Sequence, residues 1–340
     1  MILLAVSILA SLLITYFLLP RLMKFLYAAG IVSLDMHKGN KPRLPASGGI
    51  CVACGVLAGI LIYTGLQTFI YGNYIFSIPL LTAVASIVII TFTGMLDDLN
   101  VKSRPVITKD GKNIKIGFPQ WLKPLLVLPA AIPLMVMNVG DTTMAVPFVG
   151  DVNFGILYPL LIIPIGVLGA SNMVNMLGGF NGVETGMGIV YTLGLGIYSL
   201  MYGNQIAAII FLSTSASLIT FLRFNWYPAK ILPGDSLTYL LGAIVAVGVI
   251  VGNMEKVGLI VMIPFIVQGI LKFYSKIRLG EFASDLGVLQ KGGIIKSKYK
   301  GTYSLTHFVM KLGNFREYQI SIILILVQII FTILPFLKIF

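Results

Sequence analysis

Residues 93–100 (TGMLDDLN) place two adjacent carboxylates, Asp97 and Asp98, at the end of an apolar run covering residues 78–96. If that run is a helix, the pair sits at its negative macrodipole end, where carboxylates are disfavoured and a positive partner is expected; a solvated helix end is the other reading. A second polar interruption, residues 171–184 (SNMVNMLGGFNGVE), carries Asn172 and Asn175 at i, i+3 on one helix face, followed by glycines that let backbone approach a ligand. Polar groups at such positions are expensive, so they serve either function or helix–helix hydrogen bonding. A third stretch, residues 221–236 (FLRFNWYPAKILPGDS), ends in Asp235 just before another apolar run, either as an N-cap or as a site residue. A set of oxygen donors with few carboxylates favours Mg²⁺ or Mn²⁺ over zinc, and Mg²⁺ completes its octahedron with water and substrate phosphates. Asp235, Asn175 and a diphosphate fit that pattern. Phosphoryl transfer asks of a protein mainly positioning, charge neutralisation and a base, and these stretches offer all three.

The elements that must position these groups are membrane helices. Of 340 residues, 57% are hydrophobic and 11% charged, and the mean hydropathy is +0.96, far outside the soluble globular range. Apolar runs of 17 to 25 residues, each enough for about 30 Å of hydrocarbon, recur along the chain. Ten can be drawn, centred near Leu12, Leu57, Ser86, Ala130, Ile163, Thr192, Leu212, Ala246, Pro264 and Val327. The expected fold is therefore a single all-α polytopic membrane domain over residues 1–340. Residues 2–19 lack a basic leader and a small-residue cleavage pattern, so they read as a helix and not a signal peptide.

All but two of the 24 basic residues, Lys256 and Lys338, fall in one alternate set of connections. The positive-inside rule makes that set cytoplasmic and both termini external. Asp97, Asp98, Asn175 and Asp235 then reach the cytoplasmic surface from three different helices. The positive excess there suits anionic membrane lipid or a phosphorylated substrate. Nucleic acid is disfavoured, because the basic residues are dispersed over several loops without interleaved aromatic platforms.

The connections add detail. Residues 35–49 (DMHKGNKPRLPASGG) suit an irregular backbone facing a polar ligand. Asp110-Gly111 reads as a turn, and residues 138–153 as a small outer β-hairpin. Trp121 and Lys123 open a helix at the membrane interface. Residues 276–316 form either a basic lid over a phosphate or a solvated anchoring loop. Cys51 and Cys54, a CxxC inside an apolar run, are expected to be small packing residues, and His37 and His307 solvated residues of basic loops.

MLDDLN with the following QWLKPLLVLP, then NMVNMLGGFNGVETG and FNWYPAKILPGDS, resemble in order the motifs of the polyprenyl-phosphate N-acetylhexosamine-1-phosphate transferases. NGVE and NWYPAK look most like the eukaryotic and archaeal branch that uses dolichyl phosphate. The resemblance implies transfer of N-acetylglucosamine 1-phosphate from UDP-N-acetylglucosamine to dolichyl (polyprenyl) phosphate, with Mg²⁺ as cofactor and release of UMP. It makes Asn175 and Asp235 metal ligands, Lys123 a phosphate contact, and Gly179 and Asn181 the uracil site, with Asn172 and Glu184 as further substrate-binding residues of the same motif. Asp97 and Asp98 match the family's paired acids, whose roles lie between deprotonating the lipid phosphate, assisting the metal site and acting as nucleophile. Asp97 as base with direct attack is preferred, since an anionic oxygen nucleophile needs no covalent intermediate. A homodimer and an archaeal cell membrane (the endoplasmic reticulum in a eukaryote) also follow by resemblance only.

Two departures bear on the sugar. The histidine- or arginine-flanked motif of the last cytoplasmic loop is missing, with Lys276 and Arg278 in its neighbourhood as replacement phosphate contacts. A Pro-Glu near the second helix is here Pro45-Ala46-Ser47. Within the class, another UDP-N-acetylhexosamine or undecaprenyl phosphate is the runner-up. A transporter would keep its polar residues at the bilayer midplane between repeated halves, a pattern not seen here. A non-catalytic lipid-phosphate binder would bind without releasing UMP.

Overall fold

A computed structural model of the chain describes residues 1–99, 106–107, 113–114, 122–146 and 149–337. The first helices are α1 (Ile2–Ala28), α2 (Gly49–Tyr71) and α3 (Ser77–Leu99), with a short antiparallel pair, β1 (Val32–Leu34) and β2 (Arg43–Pro45), between α1 and α2. After α3 come β3 (Val106–Ile107) and β4 (Asn113–Ile114), which pair antiparallel; Asp110-Gly111, Trp121 and residues 100–105 lie outside the described residues. The next apolar run is broken into α4 (Lys123–Leu126), a 3₁₀ turn Leu128–Ala131 and α5 (Ile132–Val136), because Pro124, Pro129 and Pro133 each remove a backbone donor. The hairpin expected in residues 138–153 is present as β5 (Thr143–Val146) against β6 (Gly150–Asn153).

A π-turn at Tyr158–Ile162 leads into α6 (Ile163–Asn175), followed by α7 (Val183–Met201), α8 (Gln205–Asn225) and α9 (Asp235–Val251). Then α10 (Glu255–Val261) and α11 (Ile263–Leu279) meet at a 61° bend beside Pro264. Residues 276–316 carry regular structure. They hold a three-stranded sheet of β7 (Val288–Leu289), β8 (Ile294–Lys296) and β9 (Phe315–Arg316), and the helix α12 (Leu305–Leu312), ahead of α13 (Glu317–Ile333).

Helical structure occupies each of the ten expected centres. Among the described residues, six helices are long and apolar enough to cross a membrane, or seven if the bent α10–α11 pair counts as one span. Of the remaining runs, that of α4 and α5 is broken by proline, α9 is shorter at 17 residues, and α7, at 19 residues, is long enough but less apolar. Every residue of α9 from Ser236 to Val251 is buried, as befits a helix that is apolar all round. It is the hub, with α2, α3, α6 and α8 packed around it. Backbones come very close there: a Cβ added at Gly94 of α3 or Gly49 of α2 would fall within 2.5 Å of Ser236 backbone atoms, and one at Gly242 within 2.3 Å of the Ala170 carbonyl of α6. This packing brings the N-terminus of α9 to the C-termini of α3 and α6. Cys51 is buried and Cys54 partly so, both as free thiols in α2.

Candidate active site

The C-terminal turn of α3 delivers Asp97 and Asp98 to different partners. Asp97 is 2% exposed; its Oδ2 lies 2.7 Å from Lys123 Nζ at the start of α4 and accepts a 3.2 Å hydrogen bond from the Tyr239 hydroxyl of α9. Lys123 supplies the positive partner expected at this helix end, and its Nζ also stands 3.4 Å from Asp235 Oδ2. Asp98 instead accepts the backbone N–H groups of Asp235 (2.7 Å) and Ser236 (3.1 Å), together with the Ser47 hydroxyl (2.7 Å). It therefore caps α9 from another helix, placing an anion against two orphan N–H donors.

This arrangement removes one reading of Asp235. The N-cap of α9 is Gly234, and Asp235 is the first helical residue, making no capping bond through its own side chain. Gly234 has φ 73°, and a Cβ there would meet Asp98 Oδ2 at 2.5 Å, so glycine is required by both backbone and space. Replacing Asp98 with Ala leaves two N–H groups unpaired in a nearly closed environment, while the Ser47 hydroxyl keeps the Ser236 hydroxyl, 3.1 Å away, as its partner. The expected cost is about 3 kcal/mol, seen as a fall in the thermal midpoint of the detergent-purified protein.

One turn into α9, Thr238 donates its hydroxyl to Asn175 Oδ1 (2.8 Å), holding the last residue of α6 beside Asp235. Both Asn175 and Asp235 line a cleft of about 410 Å³. The cleft is further lined by Asp35, Ala46, Asp98, Gly179, Asn181, Glu184 and Asp285. Gly179, at φ 99°, faces Leu286, whose Cδ2 would lie 2.7 Å from an added Cβ. Glu184 accepts the Gly179 N–H (2.8 Å) through Oε1, while its buried Oε2 has no hydrogen-bond partner among the described residues.

Other residues singled out in the sequence stand elsewhere. Asn172 spends its amide on the Leu168 carbonyl (2.8 Å) and does not line the cleft. Lys276 and Arg278, on the exposed last turn of α11, lie against the rings of Phe282 and Tyr274 and also do not line it. Asp97 and Lys123 do not line the cleft, and Lys123 reaches it through Asp235. Ser47, Thr238, Tyr239, Asp35 and Asp285 were not singled out; Asp35 and Ser47 were visible only as polar members of the residue 35–49 loop.

Both histidines correct an expectation, being buried and not solvated. His37 stacks on Phe180 with ring centroids 4.6 Å apart. His307 Nε2 lies 2.9 Å from the Ser284 carbonyl, and its Nδ1 accepts the Tyr303 N–H at 3.4 Å, a pattern that fits the neutral ring with hydrogen on Nε2. Nearby, Lys272 pairs with Asp285 at 2.6 Å, and Gln268 donates to both Asp285 (2.9 Å) and the Met176 carbonyl (2.6 Å) while accepting the Leu305 N–H (2.8 Å). Burial raises the Asp285 carboxyl above its ordinary value, against the pull of Lys272. These bonds fasten residues 281–286 over one end of the cleft.

Burial pushes His307 down to about 4 from 6.5, so the unfolded chain binds a proton that the folded chain refuses between these values. Its stabilising share is complete above pH 6.5 and is lost as pH falls toward 4. Thermal midpoints taken from pH 7 to pH 5 should therefore fall more steeply for the wild type than for His307→Asn. Equal slopes would contradict the neutral, buried assignment.

An apolar groove of about 460 Å³ adjoins this site, lined by Val88, Ile89, Phe92, Thr93 and Leu96 of α3 and by Leu122, Leu125, Leu126 and Pro129. It ends at Leu96 and Leu122, the residues immediately before Asp97 and Lys123. The Lys123–Asp97 pair thus follows directly on residues of the groove, and Lys123 reaches Asp235 on the cleft.

A sequence profile described as glycosyl transferase family 4 matches residues 80–253, which include Asp97, Asp98, Lys123, Asn175 and Asp235. The chain is 36% identical over 306 residues to a Saccharolobus solfataricus protein named "Putative UDP-N-acetylglucosamine–dolichyl-phosphate N-acetylglucosaminephosphotransferase", covering 89% of this chain and 86% of that one. It is 27% identical over 298 residues to the UDP-N-acetylglucosamine–dolichyl-phosphate N-acetylglucosaminephosphotransferase of Dictyostelium discoideum, covering 75% and 68%. It is 26% identical over 230 residues to a phospho-N-acetylmuramoyl-pentapeptide-transferase of Clostridium perfringens, covering 67% and 68%.

Proposed function

Since the chain belongs to glycosyl transferase family 4, we propose that it transfers N-acetylglucosamine 1-phosphate from UDP-N-acetylglucosamine to dolichyl or another polyprenyl phosphate, releasing UMP. The observation that carries this reading is Lys123, an ammonium held between Asp97 and Asp235, with Asp235 on the cleft and Leu122, the residue before Lys123, on the apolar groove. A nucleotide-sugar fits the first space and an isoprenoid chain the second, with both phosphates drawn to the same cation. The names of the archaeal and Dictyostelium relatives support the choice of sugar and lipid.

The donor set suits Mg²⁺. Asp235 and Asn175 both offer oxygen to the cleft, a small donor set that fits an ion completed by substrate phosphates and water. When bound, Mg²⁺ supplies neutralisation of diphosphate charge. In the transfer itself an oxygen of the lipid phosphate attacks the β-phosphorus of the donor, a new P–O–P bond forms, and the bond to the bridging oxygen breaks so that UMP leaves with its electron pair. Asp97, beside Lys123, takes the remaining proton from the lipid phosphate. Asp98 holds the end of α9, and thereby Asp235, in place. Gly179, Asn181 and Glu184 receive the base.

The ten helical centres and the distribution of basic residues support ten spans, external termini and a cytoplasmic site in the cell membrane. Donor carrying ³²P in its β-phosphate tests the reaction type. Label is expected in the lipid fraction along with free UMP. Label remaining in UDP would instead mean transfer of the sugar alone and would overturn the reading.

A further inference from the structure

Asn181 lines the cleft and is gripped on three sides by residues from outside the stretch that matches the family profile. Its backbone N–H donates to Glu317 Oε1 (2.9 Å), its Nδ2 donates to Asp35 Oδ2 (3.1 Å), and its carbonyl accepts the Ser321 hydroxyl (3.0 Å). Glu317 is 3% exposed and Asp35 4%. Lys38 joins these two carboxylates, with Nζ 3.3 Å from Asp35 Oδ2, in direct contact with Glu317 Oε2, and 4.0 Å above the Tyr227 ring. Burying two carboxylates is costly unless they are paired and hydrogen-bonded, and a single lysine together with the N-terminus of α13 meets that need.

We infer that Glu317, Lys38 and Asp35 form a clamp that fixes the amide of Asn181 in one orientation for the nucleotide donor. The inference rests on the proposed reaction. An ionised Asp35 only accepts, so the NH₂ of Asn181 must point to it, which leaves Oδ1 with no protein partner among the described residues. The clamp therefore presents an acceptor, suited to an N–H of the donor's base. His37 reinforces the same region, stacked on Phe180 with Nδ1 3.8 Å from Glu317 Oε1, beyond hydrogen-bond reach. Glu317 is a positioning residue, acting on the donor through Asn181. The first loop and the last long helix are thus tied into nucleotide recognition.

The test is the kinetics of Glu317→Ala and Glu317→Gln beside the wild type, together with thermal midpoints. Glu317→Ala should raise the KM for UDP-N-acetylglucosamine about tenfold, the expected loss for one charge-assisted bond, and leave the KM for lipid phosphate unchanged. Glu317→Gln keeps an acceptor for the Asn181 N–H and should stay within about threefold of wild type. An unchanged donor KM in Glu317→Ala, or parallel shifts in both KM values with a lowered midpoint, would overturn the clamp. If Glu317→Ala does not fold, Ser321→Ala reads the same effect: a donor-specific rise in KM supports the clamp and none overturns it. A wild type without turnover would condemn the proposed reaction instead; the clamp would then be judged by equilibrium binding of UMP, where equal affinity in wild type and variant overturns it.

Discussion

Asp97→Asn should lower turnover about a thousandfold at pH 6 while the protein stays folded. The substitution is isosteric and keeps an oxygen for the Tyr239 hydroxyl, so the buried packing at the end of α3 persists. What disappears is a charge 2.7 Å from Lys123 and the capacity to take a proton. The same oxygen can still accept from Lys123, whose remaining carboxylate partner among the described residues is Asp235, at 3.4 Å. The pH dependence separates a base from a mere anchor. A phosphate monoester loses its second proton near pH 6 in water, and later beside carboxylates. Above pH 8 the nucleophile needs no base, so the deficit of Asp97→Asn should narrow. A constant deficit across this range would assign Asp97 to holding Lys123 alone, and near-normal turnover at pH 6 would remove it from the chemistry.

Asp235→Asn should cost about a hundredfold to a thousandfold in turnover and raise the Mg²⁺ concentration needed for half-maximal rate. The backbone N–H of residue 235 still meets Asp98, and Thr238 still holds Asn175, so α9 remains anchored and the thermal midpoint should hardly move. Only the charge offered to a cation and to Lys123 is lost. Asp98→Ala should behave in the opposite way, with its main effect on stability. An unchanged Mg²⁺ requirement in Asp235→Asn would show that this carboxylate does not serve a metal.

Much of the helical architecture was legible because apolar run length follows from the cost of placing backbone and polar side chains in hydrocarbon. The polar interruptions at 97–98, 175 and 235 were legible for the same reason, and the fold brings them to one region. Which of two adjacent acids does what was not. Asp98 caps a helix that begins at residue 235, and no local pattern connects those positions. The same holds for His37 and His307, which sit among basic residues in sequence but are enclosed by partners from separate elements. Lys276 and Arg278 had the charge for a phosphate contact, yet the end of α11 leaves them exposed and stacked on neighbouring rings. Neither reading of the segment 276–316 named its strands or α12, whose order comes from a polar network, Gln268, Lys272, Asp285, Thr306 and His307, together with the buried side chains of Ile295, Val309 and Met310.

The most direct measurement is UMP release by the purified protein in detergent with UDP-N-acetylglucosamine, with lipid phosphate and Mg²⁺ each supplied or withheld. Release that requires both dolichyl phosphate and Mg²⁺ is the predicted result. A folded protein that releases no UMP with both present, or releases it equally without lipid, would contradict the assignment.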